Sequence, residues 1–288
     1  MLQMTSLTPA EQLMADAAFA QSGRDAADFV FWPKPGPPTP LRSFRSSAEV
    51  LTIAVTHSGR DRLTVEREAR EWAQRCGIPV PTVRAAAPDD RWMVANYVTA
   101  GTPEGSRYVL AALDVADQIA AQNAPSLTRP AAEWKGSRRT LVSRLLRQAR
   151  GGLSLPDLRD AKAELTALTD LTVAHGDLYR RNVLADPTGG VHIIDWEFIG
   201  TAPRFTDHVR LWSTLRQPQD RELAWDRITA GLATPERRHL AVVVRYLVLR
   251  LLGENLAAPI DQRDADDLAH ARLMVSQLPR QLAELAIA

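Results

Sequence analysis

The strand-forming residues of this chain are crowded into its first hundred positions, and a helical pattern takes over after them, which leaves few architectures open. "DFVFW" and "VLTIAV" are short runs rich in β-branched and aromatic residues, and the Pro-rich "PKPGPPTP" (33–40) lies between them as a loop. "LTVEREAREWAQRCG" (63–77) has the period of a helix and stops at Gly77, a residue suited to the position after a helix. "IPVPTVRAAAPDDRWMVANYV" reads as two further strands around a turn at Asp89–Asp90. From "LAALDVADQIAAQ" (110–122) onward the pattern is mostly helical, with an island of strand and loop at 172–199. The expected order is a helix, a small mixed sheet and a larger helical part. A boundary falls near Asn96–Gly105, where "VTAGTPEG" is small and polar.

The leading helix is marked by its own chemistry. Thr8 is an N-cap, Pro9 suits the first turn, Glu11 completes a capping box, and Gly23 ends the pattern. The segment has no basic start and is interrupted by Glu11 and Asp16, so it does not read as a signal peptide. "LAVVVRYLVLRLL" (240–252) is broken by Arg245 and Arg250 and is too short to span a bilayer; it reads as a buried helix. The net charge of +1 implies neither a nucleic-acid nor an anionic-membrane partner. A single cysteine, Cys76, excludes a disulfide framework and a cysteine-based zinc site and fits a reducing, cytoplasmic compartment. Lysine is scarce: only Lys34, Lys135 and Lys162 occur.

Within the island, "HGDLYRRNVL" (175–184) has the spacing of the kinase catalytic loop H-R-D-L-x-x-x-N, with Gly in place of Arg. That spacing has a chemical reason. Phosphoryl transfer requires a base that orients a hydroxyl toward the γ-phosphate, and oxygen ligands that hold Mg²⁺ against the growing charge. Asp177 is placed to accept the hydroxyl's proton, and Asn182 to turn an amide oxygen toward a metal. Asp195, which follows the strand "VHII", supplies the main metal carboxylate, so "IDWE" occupies the place of D-F-G. The bland alternative makes Asp177 a helix cap, Asn182 a turn residue and Asp195 a strand end.

On "VAHGDLYRRNVLAD" and "VHIIDWEFIGTAPRFTDHVRLW", the chain resembles the aminoglycoside phosphotransferase and choline kinase-like superfamily, small-molecule kinases on the protein-kinase fold. "LTVEREAREWAQRCGIPVPTV" and the hinge-like "WMVANYVTAGTPEG" extend the resemblance more weakly, over residues 50 to 215. The resemblance implies a bilobal α+β fold. Its small lobe with a mixed sheet would cover 1–97 and its mainly helical lobe 98–288, with ATP or GTP in the cleft. It implies Mg²⁺-dependent transfer to a hydroxyl of a small molecule, with Asp177 as base and Asn182 and Asp195 as metal ligands. His175 would brace the loop, and Asp207 would tie down its backbone or cap the next helix. Asn96 and Val98 would lie at the nucleotide, and Tyr179 beside the acceptor hydroxyl.

Two parts of the family pattern are missing. Ala54 stands near the usual strand lysine, with Glu68 as its helix acid, and "PLRSFRSSAEV", where a phosphate loop is sought, has no glycine. Either Arg42 or Arg45 reaches the phosphates in lysine's place, with Glu68 as partner, or the protein binds a nucleotide without efficient turnover; both arginines also fit a plain solvated strand face. On the acceptor side, Glu254, Asp261, Asp264, Asp266 and Asp267 either attract a cationic acceptor or form the acidic first turn of a helix. Trp134, Trp212 and Trp225 line a pocket or pack in the core. His57 and Cys76 carry no assigned role.

Overall fold

The structure is a computed structural model that describes residues 7–32, 40–99, 101, 104–125, 145–258 and 264–286. Lys34, Trp134, Lys135, Asp261 and nearly all of the Pro-rich loop lie outside the described residues. The chain divides into two compact units.

The first unit begins with α1 (Pro9–Ser22), whose capping box is formed as expected: Glu11 N donates to Thr8 Oγ1, and Thr8 N to Glu11 Oε2. Five strands follow: β1 (Val30–Trp32), β2 (Leu41–Arg45), β3 (Glu49–Ala54), β4 (Val83–Ala86) and β5 (Trp92–Asn96). They form one sheet in the order β1-β2-β3-β5-β4 with every pairing antiparallel. Residues 40–50, searched above for a phosphate loop, are β2 and the tight turn into β3, where Ser46 Oγ accepts from the amides of Ala48 and Glu49.

Side-chain alternation gives the sheet two apolar faces. Phe44, Leu51, Ile53, Trp92 and Val94 pack with Ala15, Ala18 and Phe19 of α1. Ala54 and Met93, one residue out of phase, pack with Leu63 of α2 (His57–Arg75). That helix starts six residues before the periodic stretch read from sequence, because Thr56 Oγ1 accepts from Gly59 N and caps it. It ends at Cys76, with Gly77 in the left-handed region at φ 71°.

The segment Asn182–Ile199 belongs to this unit as well. It forms the hairpin β7 (Val183–Ala185) and β8 (Val191–Ile193), then a 3-10 turn at Trp196–Phe198. Ile193 N donates to Pro79 O, Trp196 meets Trp72 of α2 edge-on with ring centroids 6.1 Å apart, and Arg62 pairs with Glu197 at 2.6 Å.

The second unit is mostly helical. Its only sheet among the described residues pairs β6 (Leu171–Ala174) with β9 (Gly200–Pro203). Around it lie α3 (Ser106–Ala120), α4 (Leu155–Thr166), α5 (Thr206–Thr214), α6 (Pro218–Thr229), α7 (Thr234–Ala257) and α8 (Ala265–Ala286). The apolar run at 240–252 is buried inside α7, through Leu240, Val243, Val244, Leu247 and Val248. Asp264 Oδ1 accepts from the amides of Asp266 and Asp267, so the acidic stretch caps and opens α8. Among the described residues no helix is long and apolar enough to cross a membrane.

Gly59 tests the packing of α2 on the sheet edge. A Cβ there would lie 2.4 Å from Pro40 O and 3.3 Å from Ala54 Cβ. Helix propensity favours Gly59→Ala by about 1 kcal/mol, but overpacking should reverse the sign and cost about 1–3 kcal/mol. Urea unfolding checks this, and a stabilised variant would mean that the backbone at Pro40 yields.

Candidate active site

In the second unit, β6 ends at Ala174 and the chain turns at Gly176, whose φ of 82° favours glycine. Leaving the sheet strips three consecutive amides of ladder partners, and side chains replace them. Asp207 Oδ2 accepts from His175 N at 2.6 Å, and its Oδ1 from Gly176 N at 3.0 Å. His175 is fully buried, and its Nδ1 accepts from Asp177 N at 3.2 Å. Asp207 lies in the first turn of α5, yet that helix start has no side-chain cap bond; Phe205 before it is left-handed at φ 72°. The Asp207 carboxylate therefore ties the loop rather than capping its own helix.

Asp177 itself is largely enclosed. Arg210 Nη1 lies 3.4 Å from Asp177 Oδ1, a long contact, and donates to Tyr179 Oη at 2.7 Å. Tyr179 Oη in turn donates to Glu254 Oε2 at 2.8 Å, and Arg250 Nε donates to Glu254 Oε1 at 2.6 Å. Arg210 is 5% exposed, and its Nε is buried with no acceptor among the described residues. Its guanidinium lies 5.1 Å from the Tyr179 ring centre, and that of Arg181 lies 5.3 Å from it.

Burial raises the Asp177 pKa above the usual carboxylate range, against the pull of Arg210, Arg181 and His175, while Glu254 adds to the rise. Such a carboxylate has a stronger affinity for a proton than an exposed one, which suits a base. Glu254 is also enclosed, which works against its charge, but Arg250 and Arg210 and the bond from Tyr179 hold it below the usual range. The Tyr179 hydroxyl is pushed up, first by burial and then by Glu254. Arg210 and Arg250 went unassigned as site residues in the sequence, and Glu254 was weighed only among acids that could attract a cationic acceptor. Their signals were an arginine inside the apolar "HVRLW" and an i,i+4 pair in "LRLLGEN".

In the first unit, the hairpin brings Asn182 and Asp195 to one end. Val183 pairs with Ile193, and Ile194 N donates to Asn182 O at 3.0 Å, which leaves Asp195 one residue beyond. Asn182 is 2% exposed. Asp195 is left-handed at φ 62° and ψ 57°, a strained backbone for a residue with a side chain. An amide oxygen and a carboxylate form a hard donor set. No group of three or more His, Cys, Asp or Glu side chains able to hold a metal occurs among the described residues. Two protein oxygens fit a Mg²⁺ that keeps water and phosphate ligands, not one caged by protein.

The other expected residues have these surroundings. Arg42 Nη2 donates to Glu11 Oε1 at 2.5 Å, and its Nη1 to Leu41 O. Arg45 is exposed and stacks 5.2 Å from the Trp32 ring centre. Glu68 lies 3.9 Å from its neighbour Arg67, whose shorter contacts go to Asp90 and Glu71. Asn96 Oδ1 accepts from Arg84 Nε at 2.6 Å at the end of β5, and Val98 follows it half-buried. Of the acidic residues, Asp267 pairs with Arg216. Trp212 and Trp225 stack on each other with centroids 4.9 Å apart, and both line a cavity of about 500 Å³.

The chain matches the phosphotransferase enzyme family (APH) over residues 41–242. It is 30% identical over 213 residues to the aminoglycoside 3'-phosphotransferase of Streptomyces fradiae, covering 64% of this chain and 74% of that protein. Among solved structures, a choline/ethanolamine kinase family protein from Mesorhizobium loti aligns with a TM-score of 0.58 at 17% identity, over 96% of this chain and 100% of its own. The streptomycin–ATP ternary complex of APH(2'')-IIa aligns with a TM-score of 0.58 at 11% identity, over 90% and 93%. The ADP-bound APH(2'')-Ib aligns with 0.55 at 13% identity, over 98% and 100%. At these identities the structural likeness speaks to fold alone.

The tie from Asp207 generates one prediction. Asp207→Ala leaves two backbone donors without their carboxylate, and should cost about 3 kcal/mol in urea unfolding at neutral pH; Asp207→Asn, which keeps one acceptor, should cost less. Asp177 generates a second. Its folded pKa is raised, so its contribution to stability is present below the unfolded value, about 3.9, and is lost as pH rises through the native value. Asp177→Asn should therefore be at least as stable as wild type at neutral pH, with the difference closing in acid. A variant less stable at neutral pH would show that the Arg210 contact outweighs burial.

Proposed function

Since the chain belongs to the phosphotransferase enzyme family (APH), we propose that it is a nucleotide-dependent small-molecule kinase that transfers the γ-phosphate of ATP or GTP to an acceptor hydroxyl. The observation that carries this reading is the built loop around Asp177: His175 and Asp207 satisfy its backbone, and burial raises the proton affinity of its carboxylate. Nucleotide use draws support from relatives whose structures hold ATP or ADP.

The chain's residues take these roles. Asp177 receives the acceptor's hydroxyl hydrogen bond and orients its oxygen. As that oxygen bonds to the γ-phosphorus, its proton passes to Asp177, the bond to the β,γ-bridging oxygen breaks, and a nucleoside diphosphate leaves. Asn182 and Asp195 would hold Mg²⁺, which supplies charge neutralisation at the phosphate oxygens. Arg210 is a positioning residue: through Tyr179 and Glu254 it holds the Asp177 side of the loop. Asn96 and Val98 are assigned to the nucleotide, and Glu68, Arg42 and Arg45 remain its candidates for phosphate support.

One observation favours a second reading, a nucleotide-binding protein with impaired turnover. Ala54, where the family's strand lysine is sought, is buried at the end of β3, and Arg42 is engaged by Glu11. The sole lysine among the described residues is Lys162, on α4 of the second unit.

Two measurements separate these readings. Saturating Mg²⁺–nucleotide, about a hundredfold over its Kd, should stabilise the protein by about 2.7 kcal/mol, and Asp195→Ala should remove that gain. Asp177→Asn should lower turnover about 10²–10⁴-fold with nucleotide binding retained, and the acid limb of the kcat/KM profile should lie above the ordinary carboxylate range. Binding without Asp177-dependent turnover would leave the second reading; no Mg²⁺-dependent stabilisation would remove both.

A further inference from the structure

The charges around Asp177 in the second unit are unequally paired. Glu254 is the acid that acts on Asp177, and both it and the acids that open α8, apart from exposed Asp266, have partners. Glu254 takes Arg250 and the Tyr179 hydroxyl, Asp264 caps α8, and Asp267 takes Arg216. Deeper in the same unit, Asp220 Oδ2 accepts from Gly105 N, and Asp117 takes His208 and Arg227.

The cations are not matched in the same way. Arg181 is exposed, stacks on the Tyr179 ring two residues after Asp177, and forms no ion pair among the described residues. Its neighbour Arg180 forms none either; its backbone is held by Thr214 and Tyr108. Arg210 forms one ion pair among the described residues, the long one to Asp177, while its charge also acts on Glu254. Arg180 is also felt at His270, whose pKa is lowered to about 4, first by burial and then by Arg216, Arg221 and Arg180, against its bond to Ser213 O.

A polyamine brought to Asp177 would meet the guanidinium groups of Arg181 and Arg210 and find Glu254 already paired with Arg250. An oxyanion would find in Arg181 an accessible donor fork that no acid among the described residues takes as an ion pair, Asp177 acting on it only through its field. On the phosphotransfer assigned to Asp177, we infer that the acceptor hydroxyl belongs to an anionic molecule whose carboxylate or phosphate group is held by Arg181. The stack on Tyr179 restrains that guanidinium on Asp177's own loop, so the anionic group and the reacting hydroxyl are carried by one molecule.

The test measures nucleoside diphosphate release by the full chain with Mg²⁺–ATP and three acceptor probes. Gluconate offers a carboxylate, glycerol 3-phosphate a phosphate, and kanamycin a polycation. Turnover is expected with gluconate or glycerol 3-phosphate, and which of them works names the oxyanion. Arg181→Ala should raise the KM of that acceptor about ten- to a hundredfold, with Arg181→Lys recovering part of the loss. Arg181→Glu should abolish its use. Turnover of kanamycin that Arg181→Glu improves would overturn the inference. So would an Arg181→Ala variant in which the Kd for Mg²⁺–ATP rises while the acceptor KM stays, because the guanidinium would then serve the nucleotide. If no probe is phosphorylated while Asp177-dependent hydrolysis of Mg²⁺–ATP persists, the anionic acceptor falls and the phosphotransferase reading stands. If Mg²⁺–ATP does not bind, both fall.

Discussion

The bond between the Asp207 carboxylate and the amides of His175 and Gly176 is the constraint on which the rest of the loop depends. A chain that leaves a sheet into a buried turn loses ladder partners just where water cannot replace them. One ionised side chain supplies both acceptors, and His175 supplies the third at Asp177 N. Gly176 makes the turn possible, because the carboxylate fits only if the backbone passes through the left-handed region. The end of β6, the start of α5 and the place of Asp177 are thus set together.

Around Asp177 the charges alternate along a connected series: Arg250, Glu254, Tyr179, Arg210 and then Asp177. The distances matter. A short bidentate arginine pair would hold a carboxylate well below its usual pKa. The 3.4 Å contact leaves burial the larger influence, so Asp177 keeps its basicity while Arg210 still limits where it can move. Arg210 holds this position with its Nε unpartnered among the described residues, a desolvation cost that Tyr179, by bond and by ring, helps to offset.

The first unit solves a different problem. Its sheet is covered by α1 on one face and α2 on the other, which the alternation along β3 and β5 dictates. The hairpin from Asn182 attaches through Pro79, Trp72 and Arg62, and this anchoring over-determines the left-handed Asp195 that a free loop would relax. Two hard oxygen donors, those of Asn182 and Asp195, are then held at one end of a short hairpin by packing on α2.

What the sequence alone determined was whatever depends on near neighbours. The capping box at Thr8 and Glu11, the alternation that makes strands, the helix end at Gly77, the buried run of α7 and the acidic opening of α8 are local, and short-range sterics and hydrogen bonding decide them. The spacing of Asp177, Asn182 and Asp195 was legible for the same reason, since a loop motif is a local pattern. The start of α2 at His57 was missed because a single capping threonine outranked hydrophobic period. Tertiary structure decided the rest. Whether Asp207 caps its own helix or ties a loop 31 residues away turns on packing that spacing does not encode. Arg210 had no reading and Glu254 was weighed only as one of a run of acids, until folding brought them onto Tyr179 across 31 and 75 residues. Charge is written in the sequence, but which charges cancel depends on long-range pairing, and that pairing leaves Arg181 without an ion pair among the described residues.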